Sequence, residues 1–175
     1  MASIVTSLMD LAEAETGTMK LKKELLKISS LIQPVIELYE LVAEDRAITV
    51  SFPTSADPQV FVDPARIRQA LGNLLDNAIK YSPEGSEIQF LVEEANDSVT
   101  VTVKDNGQGI DPDDLPKVWD RLFRADRSRS QRGLGIGLSI VRAIVQAHGG
   151  TVKAESAPQI GSRFSLRLPK PSCAS

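Results

Sequence analysis

The sequence is poor in several things that would point to other classes of protein. It has one cysteine, Cys173, so no internal disulfide is available, and the expected setting is a reducing compartment. Uninterrupted apolar runs stop at three residues, as in Val60-Phe61-Val62 and Ala143-Ile144-Val145, against about 20 for a membrane span. No charged and then apolar stretch opens the chain as a secretory signal would. Gly 11 and Pro 10 are too few for a low-complexity or collagenous chain. Positive charge is also scarce: Lys plus Arg 20 against Asp plus Glu 23 leaves a net charge of −3, with no electrostatic footprint for nucleic acid. The chain holds a single histidine, His148. The expectation is a soluble cytoplasmic domain of 175 residues, 42% hydrophobic and able to bury one core. It is expected to make no contact with nucleic acid or membrane.

Ile4, Leu8 and Leu11 follow helical spacing up to a stop at Gly17, a stripe too short to stand without a partner surface. Met19 to Leu26 reads as extended. Ser29 or Ser30 is expected to cap a helix, with Pro34 in its first turn and Leu31, Val35, Leu38 and Val42 on its buried face. Ile48, Val50 and Phe52 alternate as a strand, and Val60 to Val62 form another. Asp63-Pro64 is a strong helix start, and the helix runs to Tyr81. Leu71, Leu74, Leu75 and Ala78 share one side of it, while Asn73, Asn77 and Lys80 share the other. Strands 88–92 and 99–103 form a hairpin through Asn96-Asp97. A short helix over about 113–122 precedes a charged loop, and a helix with Ile140, Val141, Ile144 and Val145 buried ends at Gly149-Gly150. Two strands around 151–155 and 163–168 flank a turn at Gly161. Hairpins with helices collected between them predict an α+β two-layer sandwich, with a mixed, mostly antiparallel sheet covered on one face by about three helices.

Four segments carry chemistry. In Gly133-Leu134-Gly135-Ile136-Gly137-Leu138, alternate glycines and the following helix N-terminus make either a phosphate site or a flexible hinge. No Gly-Lys-Ser/Thr follows, and an Arg-rich loop precedes it where a dinucleotide fingerprint needs a strand. Asp105-Asn106-Gly107-Gln108-Gly109 places a carboxylate at the end of an apolar strand, where it can accept from an exocyclic amine. Its glycines would let a flat ring lie against the backbone. An acidic turn or an ordinary strand-to-helix connection is the other reading, and a calcium loop would want more carboxylates. Asn73 and Asn77 offer neutral oxygens suited to Mg²⁺ already bridged to phosphates, with Lys80 as a point charge, or else form a solvated polar face. Arg121, Arg124, Arg127, Arg129 and Arg132 against Asp126 make either a cationic lid over phosphates or a solvated loop.

Taken in order, NLLDNAIKYS, DNGQGI, VWDRLFRAD and RGLGIGLSIVRAIVQAHGG resemble the N, G1, F and G2 boxes of the catalytic, ATP-binding domain of sensor histidine kinases, members of the Bergerat-fold ATPases and kinases. The resemblance spans about Met19 to Pro169. It implies ATP and Mg²⁺ as cofactors, with the metal on Asn77, the adenine amino group on Asp105, and Gly107, Gly109, Gly133, Gly135 and Gly137 shaping pocket and lid. Asn73, Ile110, Leu134, Ile136 and Leu138 belong to the same boxes. Lys80 and Tyr81 resemble residues that contact phosphate and base, and Arg124 the basic residue after the F box. Two departures stand out. Trp119 and Leu122 replace the usual two Phe and are expected to keep the lid packed, and Arg132 stands where small residues are common.

Relatives that hydrolyse ATP carry Glu at the first N-box position to activate water. Asn73 stands there and has no basic lone pair. Positioning and charge neutralisation by Mg²⁺, Lys80 and Arg124 would then supply most of the catalysis, with no residue acting as general base. The resemblance implies a phosphoacceptor histidine in a dimerisation domain outside this chain and, through the full-length protein, a response regulator. His148 corresponds to a structural position. Residues 1–18 are expected to end a dimerisation helix, 19–169 to form the ATP-binding domain and 170–175 a flexible tail, all part of a longer kinase whose full-length form could be anchored in a membrane. The alternatives are a degenerate, non-catalytic nucleotide-dependent module and a serine kinase of the anti-sigma type, which would prefer Glu at position 73.

Overall fold

The computed structural model describes residues 9, 12–13, 19–53, 56–123 and 135–171. Strand β1 (Glu24–Lys27) leads into helix α1 (Ser29–Glu44), followed by β2 (Thr49–Ser51), β3 (Gln59–Val62) and helix α2 (Pro64–Tyr81). The hairpin β4 (Glu87–Glu94) and β5 (Ser98–Asp105) comes next, then helix α3 (Gly137–Ala147) and the hairpin β6 (Thr151–Ala157) and β7 (Gly161–Pro169). Five strands form one sheet in the order β2-β4-β5-β7-β6, antiparallel except where β2 runs parallel to β4. β1 and β3 make a small antiparallel sheet of their own.

Alternation along the strands decides the layers. Ile88, Phe90, Val99, Val101, Val103, Leu166 and Leu168 are buried under the helices. Their neighbours point the other way, into a polar face where Thr102 and Ser165 join hydroxyls at 2.8 Å and Lys153 meets Glu155 at 2.7 Å. This is the two-layer α+β sandwich expected, with three helices among the described residues on one face of a mixed sheet.

Helix α2 has the bounds read from its sequence. Asp63 accepts from the backbone N–H groups of Ala65 and Arg66 at 3.0 and 3.1 Å, and Pro64 needs no partner for its first turn. Helix α1 differs from expectation. Ile28 occupies the N-cap; Ser29 turns to Asp57 and Ser30 Oγ back to the Lys27 carbonyl. Pro34 therefore lies beyond the first turn, and the Ser30 carbonyl it would leave unpaired accepts from Arg68 Nη2 at 3.2 Å. Ile32 and Ala43 join Leu31 and Val35 in the core, whereas Leu38 and Val42 are exposed.

The helix expected over 113–122 is only a 3₁₀ turn, Leu115–Lys117, because Pro112 and Pro116 deny it the N–H groups that a longer helix needs. The chain leaves it with Leu122 at φ +57°. Residues 9, 12 and 13 are helical, with Glu13 3.9 Å from Arg66. Ile4, Leu8, Leu11, Gly17 and Cys173 lie outside the described residues.

Candidate functional site

Helix α2 is the spine of the site. Asn73, Asn77, Lys80 and Tyr81 are each half-buried on it. Asn73 Nδ2 donates to the carbonyl of Gly137 at 3.4 Å, which ties α2 to the first residue of α3. Lys80 Nζ lies 5.7 Å from the Tyr81 ring centroid. The end of the helix is held from two sides. Arg46, in the α1–β2 connection, donates through Nη1 to the Ile79 carbonyl and through Nη2 to that of Ser82 at 3.0 Å. The Tyr81 carbonyl accepts the N–H of Gln108 at 3.2 Å, which docks the loop after β5 onto α2. Lys80 and Tyr81 sit between these two fastenings.

Asp105 ends β5 on its buried face. One carboxylate oxygen, Oδ1, accepts from Gly107 N–H at 2.8 Å and from Ser162 N–H, across the sheet on β7, at 3.1 Å. Burial pushes the carboxyl above its ordinary range, and the two N–H donors offset only part of that. Both bonds use the same oxygen.

The glycines of this loop are packed tightly against the rest of the fold. A Cβ on Gly107 would lie 2.6 Å from the Tyr81 carbonyl oxygen, and one on Gly109, at φ +70°, only 1.9 Å from the Ala157 oxygen. The protein's own backbone occupies that space, so these glycines seat the loop against α2 and the β6–β7 turn and thereby hold Asp105 in place. Ile110 N–H completes the seat by donating to Ser156 Oγ at 2.9 Å. Ser156, Ser162 and Arg46 escaped the sequence reading, since each reaches its partner across the fold and no local pattern marks it.

At the start of α3, Gly135 takes φ +69° and Ile136 occupies the N-cap, its carbonyl accepting from Ser139 Oγ at 2.8 Å. Ile136 and Leu138 are half-buried against the core. Trp119 meets Phe164 of β7 edge to face at 5.8 Å. Leu122 is 68% exposed. Arg124, Arg127, Arg129, Arg132, Gly133 and Leu134 lie outside the described residues. His148 is buried at the end of α3, its Nδ1 donating to the Ile144 carbonyl at 2.7 Å and its Nε2 accepting from Asp63 N–H at 3.0 Å. Burial holds this imidazole below its ordinary pKa, against the opposing hydrogen bond to Ile144. Asp63 is also pushed up by burial, but the N–H groups of Lys22, Arg66 and Ala65 prevail and hold it low.

The contacts string three of the sequence boxes along one side of α2, through Asn73 to α3 and through Tyr81 to the Asp105 loop. Among the described residues no group of three or more His, Cys, Asp or Glu could hold a metal. Asn77 offers a neutral oxygen that could serve as one ligand of a cation arriving with a nucleotide.

A family model described as histidine kinase-, DNA gyrase B-, and HSP90-like ATPase matches residues 62–172. The chain belongs to this family. Sensor histidine kinase CusS of Escherichia coli O6:H1 is 39% identical over 171 residues, 97% of this chain and 35% of the relative. Sensor histidine kinase WalK of Bacillus subtilis is 32% identical over 173 residues, 97% and 28% of the two chains. Among solved structures, the catalytic domain of histidine kinase ThkA matches with a TM-score of 0.76 at 30% identity, over 87% of this chain and 97% of that one. Full-length ShkA in complex with AMPPNP matches with a TM-score of 0.85 at 25% identity, over 99% and 36%. The chain thus spans about a third of the length of curated relatives such as CusS. It is the ATPase domain of the sensor-kinase type, with ATP as its nucleotide. No helix among the described residues is long and apolar enough to cross a membrane.

Proposed function

We propose that this chain is the Mg-ATP-binding, phosphoryl-donor domain of a two-component sensor histidine kinase and passes the γ-phosphate to a histidine outside the chain. The observation that carries the reading is the seating of the Asp105 loop on the end of the helix that bears Asn73, Asn77, Lys80 and Tyr81. Asp105 then presents its second carboxylate oxygen to the adenine amino group, and Lys80 and Arg124 neutralise phosphate charge. Asn77 would hold Mg²⁺, which when bound draws charge from the phosphates and fixes their orientation. Asn73 donates to Gly137 and cannot serve as a base, so water is poorly activated and transfer waits for an acceptor.

That acceptor lies on a dimerisation domain of the same kinase, to which residues 1–18 are assigned. Residues 19–169 form the ATP-binding unit and 170–175 its tail. A response regulator receives the phosphate next, on the cytoplasmic side of whatever membrane the full-length protein is anchored to. His148 is no acceptor, because both ring nitrogens are engaged inside the fold.

The test measures ATP affinity with and without Mg²⁺ for the wild type, Asp105→Ala and Asn77→Ala, then follows transfer of labelled γ-phosphate to a separately prepared histidine-bearing helical domain. Asp105→Ala is expected to lose adenine selectivity and Asn77→Ala the Mg²⁺ dependence. Unchanged affinity in both variants, or stable label on His148, overturns the reading.

A further inference from the structure

Helix α1 carries an apolar stripe that the domain does not use. Leu38 and Leu41 are 76% and 75% exposed, and Val42 is 49% exposed. At about 100° per residue these three share a sector about 100° wide, continued towards the helix N-terminus by exposed Pro34. Their presence is not forced by the core, which is filled from the same helix by Leu31, Ile32, Val35 and Ala43. Two leucines this exposed and one turn apart are unusual on a surface that faces only water.

The charge around the stripe is of one sign. Glu37, Glu40 and Glu44 run along one border and Asp45 closes the end, all exposed, while no Lys or Arg occurs between Ser29 and Asp45. Among the described residues none of these four carboxylates takes an ion pair, and Glu37 accepts only from Gln33 at 3.4 Å. The nearest cation in sequence, Arg46, is turned inward to the end of α2. A second copy of this face would set acid against acid, and an anionic lipid surface would be repelled in the same way. The opening stripe of the chain, Ile4, Leu8 and Leu11, is itself interspersed with Asp10, Glu13 and Glu15.

We infer that the α1 face from Pro34 to Asp45 is a docking surface for a basic amphipathic helix of another domain or protein, which buries Leu38, Leu41 and Val42 under its own leucines and pairs Lys or Arg with Glu37, Glu40 and Glu44. Buried leucines supply the affinity, and the carboxylates select the partner and its direction. Asn73 is tied to α3 and not to α1, so docking on the exposed α1 stripe is expected to leave nucleotide binding in place.

The probe is an 18-residue helical peptide of leucine and lysine, leucines at i, i+3, i+4 and i+7, titrated into the chain while backbone amide shifts are followed. Saturable binding with shifts confined to about 33–45 is expected, weakened at least tenfold by Leu38→Ser with Leu41→Ser and by Glu40→Lys with Glu44→Lys, and also by raised salt. ATP affinity in these variants stays at the wild-type value. The proposal is overturned if the peptide does not bind, if shifts fall elsewhere, or if a twin peptide with glutamate for lysine binds equally well. Concentration-dependent dimerisation or binding to anionic vesicles, abolished by Leu38→Ser with Leu41→Ser, would likewise replace it with a different occupant.

Discussion

Asp105 separates two roles of one carboxylate, and the pair Asp105→Asn and Asp105→Ala pulls them apart. In Asp105→Asn the Oδ1 acceptor survives, so Gly107 and Ser162 keep their bonds of 2.8 and 3.1 Å. The second oxygen becomes an NH₂ group, which donates where the adenine amino group also donates. Losing a hydrogen bond to a charged acceptor costs about 1.5–3 kcal/mol, about a 10- to 150-fold loss of ATP affinity. Stability behaves differently. The folded carboxyl has a raised pKa, so the native chain holds its proton more tightly than the unfolded one, and wild-type stability falls as pH rises from the ordinary value of about 3.9 through the folded pKa. Neutral asparagine removes that loss and is expected to be at least as stable as the wild type at pH 7. Asp105→Ala instead strands two buried N–H groups at about 1–3 kcal/mol each, together about 2–6 kcal/mol, a large part of an ordinary domain's stability. Calorimetric titration with ATP and urea unfolding read the two effects. Wild-type ATP affinity in Asp105→Asn, or equal stability of the two variants, would refute the assignment.

Gly109→Ala is expected to lose nucleotide binding and to cost more than the about 1–2 kcal/mol of left-handed backbone alone, since its Cβ would meet the Ala157 oxygen at 1.9 Å; thermal unfolding and titration check both. Buried neutral His148 has a lowered pKa, so its contribution is intact above the unfolded value of about 6.5 and is lost as pH falls below it towards the folded pKa. His148→Gln is expected to flatten that part of the stability profile, measured by denaturant unfolding from pH 7.5 to 5. Arg46→Gln leaves a carbonyl at the end of α2 without its charged donor and is expected to cost about 1–3 kcal/mol and weaken ATP binding through Lys80 and Tyr81. Arg46→Lys restores part of both losses in the same assays.

Where a structural cause lies within a few residues, the sequence showed it. The α2 boundaries follow from Asp63, Pro64 and the turn after Tyr81, and alternation separates Val99, Val101 and Val103 from the polar face. Pro116 is equally visible in the chain, but the apolar stretch around it reads as a helix, and only the structure shows that one 3₁₀ turn forms there. Periodicity marked Leu38 and Val42 as a stripe but could not say which way the stripe points, because only the packing of α1 on α2 and the sheet chooses the buried side.

The sequence by itself determined the class of fold, the ordered boxes and the absence of a carboxylate base at position 73, since each depends on residue type and local spacing. Tertiary structure alone decided how those boxes meet. Ser162 reaches Asp105 from 57 positions away, Arg46 reaches Ile79 from 33, and Asp63 reaches His148 from 85. Such bonds leave no periodic trace in the chain, because their geometry exists only after the sheet has registered and the helices have packed upon it.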